Sequence, residues 1–385
     1  MGNKETPTIP TRPLSTFVTS VSSGKTTRRD TSGQYPLYGS TGQIGVTNRV
    51  EFSGPSILVA RVGVNAGSVY RVDGHYGVTD NTLVIRPAAD QCVEFLAEVL
   101  QHANLNRMVY GSGQPLVTGT MLKHLEIPDL PPVDQQKISN VLGEASNLIA
   151  ALERTIAKKQ AVKQGMMQQL LTGATRFRGC SGTMHNRRLL DVSLKIQDGT
   201  HFSPKLGGSD FKYVTSKNIG PGWLKLDNVE TISKTEHEKI YARCDTKFGD
   251  LLLTKDGANT GNAALNTFHE EISLLSSVAF IRCDPLKASE GYIMQYLLSR
   301  PGRQQITDAM AGNALTRLTL QKIRNLVVPM PPVEEQRVIA QTLGQVDKEI
   351  SVLHERVRKA VAMKRGMMQQ LLTGRTRLPS GEVAT

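Results

Sequence analysis

The sequence contains little cysteine, no long apolar run and no signal-peptide pattern, and each absence excludes a class of protein. Its four cysteines, Cys92, Cys180, Cys244 and Cys283, form no Cys-x-x-Cys pair and have no histidine at metal-ligand spacing. No stretch of about 18 apolar residues is present, and the first residues lack the charged, apolar and small-residue order of a secretory signal. We therefore expect a soluble cytoplasmic protein with reduced cysteines and no bound metal.

Motifs of nucleotide-binding and DNA-modifying enzymes are also incomplete. Residues 22–26 resemble the end of a phosphate-binding loop, but the first glycine of that loop is missing. Residues 129–133 lack the order and the aromatic side chain that hold a flipped adenine in a methyltransferase. Asp227, Asp245 and Lys247 form a nuclease-like set that is short enough to arise by chance. The sequence therefore predicts a chain without an active site or a cofactor of its own.

A stretch of nine residues, Gly-Met-Met-Gln-Gln-Leu-Leu-Thr-Gly, occurs twice, at 165–173 and 366–374, with an offset of 201. Upstream, Pro-Pro-Val-Asp-Gln-Gln at 131–136 matches Pro-Pro-Val-Glu-Glu-Gln at 331–336. This period is too long for a solenoid, whose repeats are about 20 to 50 residues, and fits a domain followed by a connecting segment. We therefore expect a pseudo-twofold architecture, which suits a partner with the same symmetry, such as duplex DNA.

Two globules and two helical segments are expected to alternate along the chain. Short apolar runs separated by Gly, Ser, Thr and Asn predict strands and turns, with one clear helix, in each globule. The predicted fold class is thus α+β, with two long helices that pair as an antiparallel coiled coil. The predicted segments are a globule at 1–132 with a loose tail at 1–13, a helical spacer at 133–178, a globule at 179–332 and a helical spacer at 333–385.

The helical segments carry apolar residues at alternating steps of four and three, the pattern of a coiled-coil seam. Lys159, Lys163 and Lys364 interrupt the seam, where they could set the register or extend their stems past it. About 33 helical residues would give a rod of roughly 50 Å. The seam residues that we expect at the helix pair and at partner subunits are Leu142, Ile149, Leu152, Ile156, Met166, Leu170, Leu343, Ile350, Leu353, Val357, Met367 and Leu371.

The charge balance favours a polyanionic partner. The 46 lysine and arginine residues exceed the 34 aspartate and glutamate residues, which gives a net charge of +12 and an isoelectric point near 9.5. Nucleic acid fits this balance, although a merely basic soluble protein has the same composition.

Two loops of the first globule are candidates for DNA contacts. Residues 24–29 combine three cations with several hydroxyl groups, a set suited to phosphate contacts. Residues 35–42 form a glycine-rich stretch whose aromatic and hydroxyl groups could approach a DNA backbone or base edge. A solvated basic turn and a plain hairpin turn are the respective alternatives. The candidate residues here are Lys25, Arg28, Arg29, Tyr38 and Ser40.

A further pair of candidate loops occurs at matching places in the two globules. Residues 61–67 and 255–261 both follow an apolar strand, and both place a cation, an asparagine and a glycine in the same order. An asparagine amide is suited to the major-groove edge of adenine. Residues 212–218 add two lysines and one asparagine. The candidate residues of these segments are Arg61, Asn65, Lys212, Lys217, Asn218, Lys255, Asn259 and Thr260.

With its repeat, Pro-Pro-Val junctions, heptad helices and Gln-Gln-Leu-Leu-Thr-Gly ends, the chain resembles the specificity subunit of type I restriction-modification enzymes over nearly its whole length. The resemblance implies that 14–130 and 189–328 are target-recognition domains, each reading one half of a bipartite DNA sequence, mainly in the major groove. It also implies that the helices are spacers that set the gap between the half-sites and dock two modification subunits. The junctions depart from the family's usual Pro-Pro-Leu-x-Glu-Gln at Val133, Val333 and Gln135, but both valines keep the apolar character.

The same resemblance implies that the catalytic steps belong to other subunits. Modification subunits would bind S-adenosylmethionine and methylate adenine, and restriction subunits would use ATP and Mg²⁺ to translocate and cut double-stranded DNA. This chain would be non-catalytic and would have no membrane partner. Two alternatives are a fused nuclease or methyltransferase with its own active site, and a scaffold that dimerises through its helices without contacting DNA.

Overall fold

The computed structural model describes residues 9–26, 30, 32–108, 116–311 and 317–378. The chain divides into two compact units, of which unit 1 takes its residues from Met1–Glu153 and Arg356–Thr385, and unit 2 from Arg154–Glu355. Each unit therefore contains one globule and part of each long helix.

Unit 1 is built mainly from short strands. They are Thr11–Pro13 (β1), Val18–Ser23 (β2), Tyr35–Gly39 (β3), Gly42–Thr47 (β4), Phe52–Ser53 (β5), Ser56–Ala60 (β6), Val69–Val72 (β7), His75–Val78 (β8), Thr82–Pro87 (β9) and Glu126–Pro128 (β10). The helices of this globule are Val93–His102 (α1) and Gly119–Lys123 (α2). One sheet has the order β2-β9-β6-β7, and another has the order β4-β3-β8-β5 with β3 and β8 parallel.

The core of unit 1 forms on both faces of β6, whose five residues are all buried. Ile57 and Val59 face a cluster that includes Phe95 of α1, whereas Leu58 faces a second cluster around Tyr76. Successive side chains of a strand point to opposite faces, so an uninterrupted apolar run is what a strand buried on both sides requires.

The first strand corrects one sequence-based expectation. Residues 11–13, which we expected in a loose tail, form β1 and pair antiparallel with β10. Arg12 also contacts Asp129, with 2.6 Å between the guanidinium and the carboxylate. Backbone pairing and this ion pair hold the segment against the globule.

Two helices of 40 residues connect and follow the globules. The first is Pro132–Leu171 (α3), and at a rise of 1.5 Å per residue it is about 60 Å long. The second starts and ends 201 positions later, at Val333–Leu372. Both helices exceed the 33 residues expected from the heptad pattern, because each begins within the Pro-Pro-Val junction.

Unit 2 repeats the strand order of unit 1. Its strands are His185–Arg188 (β11), Ser193–Asp198 (β12), Leu206–Val214 (β13), Thr231–Ile232 (β14), Leu251–Thr254 (β15), Ala263–Leu265 (β16), Ile272–Leu274 (β17), Val278–Cys283 (β18) and Val327–Met330 (β19). Its helices are Leu189–Val192 (α4), Lys234–Tyr241 (α5), Glu290–Leu298 (α6), Arg300–Met310 (α7), Leu320–Arg324 (α8) and the start of Val333–Leu372 (α9). The sheet β12-β18-β15-β16 matches β2-β9-β6-β7, and β13 is parallel to β17 as β3 is to β8.

At the junctions into α3 and α9, the alignment of the two Pro-Pro-Val motifs is one residue out of register with the structure. Gln135 Oε1 accepts a hydrogen bond from Cys92 N at 3.1 Å, where α1 begins. Gln336 Oε1 accepts the equivalent bond from Ser289 N at 3.0 Å, where α6 begins. Both glutamines are buried. The structural equivalent of Gln135 is therefore Gln336, and the 201 offset holds through the junction.

The long helices run antiparallel in unit 2. Lys159 Nζ lies 2.6 Å from Glu349, and one turn later Lys163 Nζ lies 2.6 Å from Asp347. In unit 1, Lys364 Nζ lies 2.8 Å from Glu98 on α1. The seam lysines thus form ion pairs, and the predicted α+β class with an antiparallel helix pair is confirmed.

Several seam residues belong to the cores of the globules. The apolar clusters of unit 1 include Leu142 and Leu371, and those of unit 2 include Leu170 and Leu343. These helix ends therefore pack on sheets and short helices, whereas a heptad pattern alone predicts helix partners. The buried seam residues are Leu142, Ile156, Leu170, Leu343 and Leu371, and the half-buried ones are Ile149, Leu152, Met166, Ile350, Leu353, Val357 and Met367.

None of the helices in the described ranges has an apolar stretch long enough to cross a membrane.

Candidate nucleic-acid interface

The β6–β7 loop, residues 61–67, and the β15–β16 loop, residues 255–261, have the same backbone conformation. In each loop the last glycine returns its N–H to the preceding strand: Gly67 N donates to Ala60 O at 2.8 Å, and Gly261 N donates to Thr254 O at 2.8 Å. Gly67 and Gly261 both have φ of +86°. This left-handed conformation favours glycine, so the shared Gly-x-Asn-x-Gly spacing is required by the turn.

The tips of these loops are accessible and present similar chemistry. Val64 is 99% exposed, and Asn65 beside it is also exposed. Ala258 and Asn259 are exposed at the equivalent places, although Asn259 Nδ2 also donates to Ser216 O at 3.2 Å. An amide can bond both acceptor and donor of adenine, and a small apolar group can contact the thymine methyl.

Sequence reasoning did not single out Val64. An apolar residue placed between two turn glycines was the available signal. Because its side chain is almost completely exposed, Val64 is as accessible to a ligand as any side chain of this loop can be.

The basic loop after β2 starts from a glycine that the fold requires. A Cβ on Gly24 would lie 2.2 Å from Val78 O, and a Cβ on the equivalent Gly199 of unit 2 would lie 2.0 Å from Leu274 O. Lys25 follows and is exposed, whereas the predicted contacts Arg28 and Arg29 lie outside the described residues.

The glycine-rich stretch at 35–42 forms a hairpin, which was the alternative to a DNA-contacting loop. β3 and β4 pair up to Gly39 and Gly42, and Ser40 lies half-buried in the connecting turn. Tyr38 is half-buried and packs edge-on against Tyr76, with 5.8 Å between ring centroids. Much of the Tyr38 side chain is therefore used in packing.

In unit 2 the predicted cation Lys255 is buried. It is 3% exposed, and its Nζ lies 3.2 Å from Asp198 Oδ2. Asp198 also contacts His201 Nε2 at 3.2 Å and an Arg243 nitrogen at 3.3 Å. Lys255 and Arg61 look alike in sequence because Asp198, the carboxylate closest to Lys255 Nζ, lies 57 positions upstream.

The surface beside Asp198 is a basic concavity. Asp198, His201, Arg243 and Lys239 line a cavity of about 360 Å³. The side chains of Arg243 and Lys239 are more than half exposed. Sequence reasoning missed Arg243, because only the fold brings α5 beside the end of β12. The cavity can accept an anionic or hydrogen-bond-accepting group.

The remaining candidates of unit 2 differ in how free they are. Lys212 is half-buried, with its ammonium 4.8 Å from the Phe268 ring centroid, and Lys217 is exposed. Asn218 Oδ1 accepts from Thr215 N at 2.9 Å. Its amide thereby caps a short 3-10 helix, which leaves little of it for a base edge. Thr260 is half-buried, and its hydroxyl donates to Gly257 O at 2.6 Å.

The nuclease-like set has its central carboxylate in a structural network. Asp245 contacts Lys195 and Arg282, and Arg282 also contacts Asp250 at 2.8 Å. Burial raises the pKa of Asp245, but the hydrogen bonds from Lys195 and Arg282 outweigh this and hold the pKa below its usual value. Asp245 is thus an ion-pair partner rather than a base.

Two further observations bear on whether the described residues could catalyse a reaction. Burial raises the pKa of Cys244 to about 11, so the thiol stays protonated at neutral pH. Within the described ranges, no group of three or more His, Cys, Asp or Glu side chains is arranged to hold a metal ion.

The sequence matches a family model described as the type I restriction modification DNA specificity domain, twice, at residues 18–164 and 184–362. The type I restriction enzyme MjaVIII specificity subunit of Methanocaldococcus jannaschii is 24% identical over 340 residues, which cover 84% of this chain and 79% of that subunit.

Solved structures with the same fold include an S subunit of a type I restriction-modification system from M. genitalium. Its TM-score is 0.66 at 14% identity, covering 97% of this chain and 98% of that one. A chain from a study of complex assembly and conformational transition in the type I restriction-modification system has a TM-score of 0.51 at 15% identity, covering 97% and 100%. With a family model matching most of its length, the chain belongs to the type I restriction-modification DNA specificity subunits, which recognise the DNA sequence and are not themselves enzymes.

Proposed function

We propose that each unit reads one half of a bipartite DNA sequence through the loops at one end of its sheets. The observation that carries this proposal is the shared conformation of the β6–β7 and β15–β16 loops, each with an exposed asparagine at the same position. A side chain that must reach a base edge in the major groove has to stand on an accessible, fixed turn. The target-recognition domains would lie within residues 1–132 and 179–332.

The two half-sites are expected to differ in sequence. The loops share a backbone but carry different side chains: Val64 corresponds to Ala258, and Arg61 corresponds to Lys255. Exposed cations near the loops, including Lys25 in unit 1 and Arg243 in unit 2, would contact phosphates and position each unit on the duplex.

The long helices would set the gap between the half-sites and dock two modification subunits. Val162 and Met363 are 201 positions apart, and they are 52% and 53% exposed on α3 and α9. A large apolar side chain that is half exposed at the same position in both repeats fits two copies of one partner.

Cofactor chemistry would belong to the other subunits of the complex. Modification subunits would bind S-adenosylmethionine and methylate adenine on DNA, and restriction subunits would bind ATP and Mg²⁺ for translocation and cleavage. The assembled enzyme would act in the cytoplasm.

Exchange of one recognition segment tests the proposed function. Residues 14–130 would be replaced by the corresponding segment of a relative with a different methylation motif, and the adenine methylome of the host would be read. We expect one half of the bipartite motif to change while the other half and the gap stay the same. Exchange of residues 189–328 is the matched control and should change the opposite half. If neither exchange alters the motif, or if either alters both halves, the two units are not separate readers.

A further inference from the structure

Arg61 and Lys255 start from equivalent backbone positions in the two units. Arg61 N donates to Asn81 O at 2.9 Å, and Lys255 N donates to Ser277 O at 2.9 Å. Both residues directly follow the strand that is buried on all its residues, β6 or β15. The two side chains therefore leave the sheet at the same place, and their surroundings can be compared directly.

In unit 2 the charge at this position is neutralised by carboxylates of the same unit. Lys255 Nζ lies 3.2 Å from Asp198 and 3.6 Å from Asp256, and both Lys255 and Asp198 are 3% exposed. Arg317 Nε lies 2.8 Å from the second oxygen of Asp256. The ammonium of Lys255 thus has carboxylate partners before any ligand arrives.

Unit 1 has neither of these acids. Ser23 ends β2 where Asp198 ends β12, and Val62 follows Arg61 where Asp256 follows Lys255. Among the described residues, no carboxylate lies within ion-pair distance of Arg61. Its Nε is buried and has no hydrogen-bond partner among the described residues, whereas the residue as a whole is only half-buried and keeps part of its surface accessible to a ligand. A buried donor without a partner is uncommon in native proteins.

We propose that Arg61 is a DNA-contact residue whose guanidinium receives its acceptor from DNA, whereas Lys255 is a positioning residue that holds the β15–β16 loop. This inference rests on the proposed function. A guanidinium can bond a phosphate oxygen or, in a bidentate way, O6 and N7 of guanine. Both acceptors belong to DNA, and they differ in whether the contact depends on the base sequence.

The experiment uses the full chain copurified with its modification subunits. Arg61→Met, Arg61→Lys and the control Arg71→Met would be compared with the parent in affinity for DNA with the methylated motif and for DNA with a scrambled first half-site. Arg71 is exposed in the same unit and lies 3.2 Å from Glu94, so its loss removes one positive charge away from the loop. We expect Arg61→Met to weaken binding of the cognate DNA at least tenfold, and Arg71→Met to change it less than twofold.

The Arg61→Lys variant and the scrambled DNA show whether the acceptor is guanine or a phosphate. If Arg61 bonds guanine, Arg61→Lys also loses cognate affinity while scrambled DNA is bound as before, because lysine lacks the planar fork. If Arg61 bonds a phosphate, Arg61→Lys retains most affinity, and Arg61→Met weakens cognate and scrambled DNA alike and lowers the slope of log K against log salt by about one.

Three results would overturn the inference. Cognate binding by Arg61→Met equal to that of the parent would show that DNA does not supply the missing acceptor, while the parent's sequence preference would leave the proposed function intact. A fall in the thermal unfolding midpoint of Arg61→Met that Arg61→Lys restores would show that the side chain serves the fold. A parent complex without sequence preference would remove the proposed function and this inference together.

Discussion

Asp198 and Lys255 show how one residue pair decides whether a cation in a loop that we propose to face DNA is available. Their charged groups are 3.2 Å apart, and neither side chain has appreciable exposure. Buried ion pairs contribute little net stability compared with apolar side chains, but removing one partner leaves an uncompensated charge. The pair therefore fixes the base of the β15–β16 loop and is sensitive to single substitutions.

We expect Lys255→Met to lower the free energy of unfolding by about 2 kcal/mol, because Asp198 would lose its buried partner and keep only the more exposed His201 and Arg243. Urea denaturation of the full chain measures the loss. The double variant Asp198→Asn with Lys255→Met is the control and should recover most of the stability, since no buried charge is left unpaired. A double variant as unstable as the single one would contradict the role assigned to the pair.

At the scale of elements, α3 and α9 carry apolar side chains both inside and outside their seam. Seam residues such as Ile156 are buried, and the ends of both helices enter the cores of the globules. Val162 and Met363 stand outside the seam and are half exposed. Helices that served only to pair with each other would have no need of apolar side chains there.

We expect Val162→Asp and Met363→Asp each to release one of two modification subunits, and the double variant to release both. A carboxylate would have to be desolvated in an apolar contact, which is costly when no partner neutralises it. Native mass spectrometry of the copurified complex gives the stoichiometry. Gln160→Asp, at an exposed position on the same helix, is the matched control. Complexes that keep two modification subunits in the double variant would place the docking surface elsewhere.

Sequence patterns predicted the helices and strands better than the side-chain contacts between distant segments. The apolar run at 56–60 and the heptads after the junctions are local signals, and β6, α3 and α9 occur where they predict them. The pairing of Asp198 with Lys255, and the approach of Arg243 on α5 to Asp198, depend on contacts between distant segments. The letter match at the junctions was out of register because Pro-Pro-Val recurs at an offset of 200, whereas the buried Gln135 and Gln336 keep the offset of 201.

At the scale of the whole molecule, the repeat gives two similar frames with different chemistry at equivalent points. The order of one four-stranded sheet, the loop conformations and the junction glutamines agree between the units, while Arg61 and Lys255 have different charged neighbours. The duplicated frame was visible in the sequence because the nine residues at 165–173 and 366–374 are identical and the junctions before the helices are similar. The differences at the loops were not, because they depend on which acid each cation meets.

We expect one heptad inserted at equivalent positions of both helices, after Glu153 and after His354, to lengthen the gap of the recognised motif by about three base pairs. Seven residues add about 10 Å of helix, and B-DNA rises roughly 3.4 Å per base pair. The methylome reports the gap directly, and the bases of each half-site should not change. Insertion of four residues, which breaks the heptad phase, is the control and should abolish methylation. An unchanged gap in the heptad variant would mean that the helices do not set it.

The end of α9 closes the core of unit 1, where Met368, Leu371 and Leu372 pack with residues such as Leu142. More than two hundred residues separate these contributors along the chain. At translation rates of about 5 to 20 residues per second, this delay is on the order of ten seconds or longer. Unit 2, by contrast, is continuous in sequence. The globule that leaves the ribosome first is therefore the last to be completed, and its apolar surface must wait for the final helix to arrive.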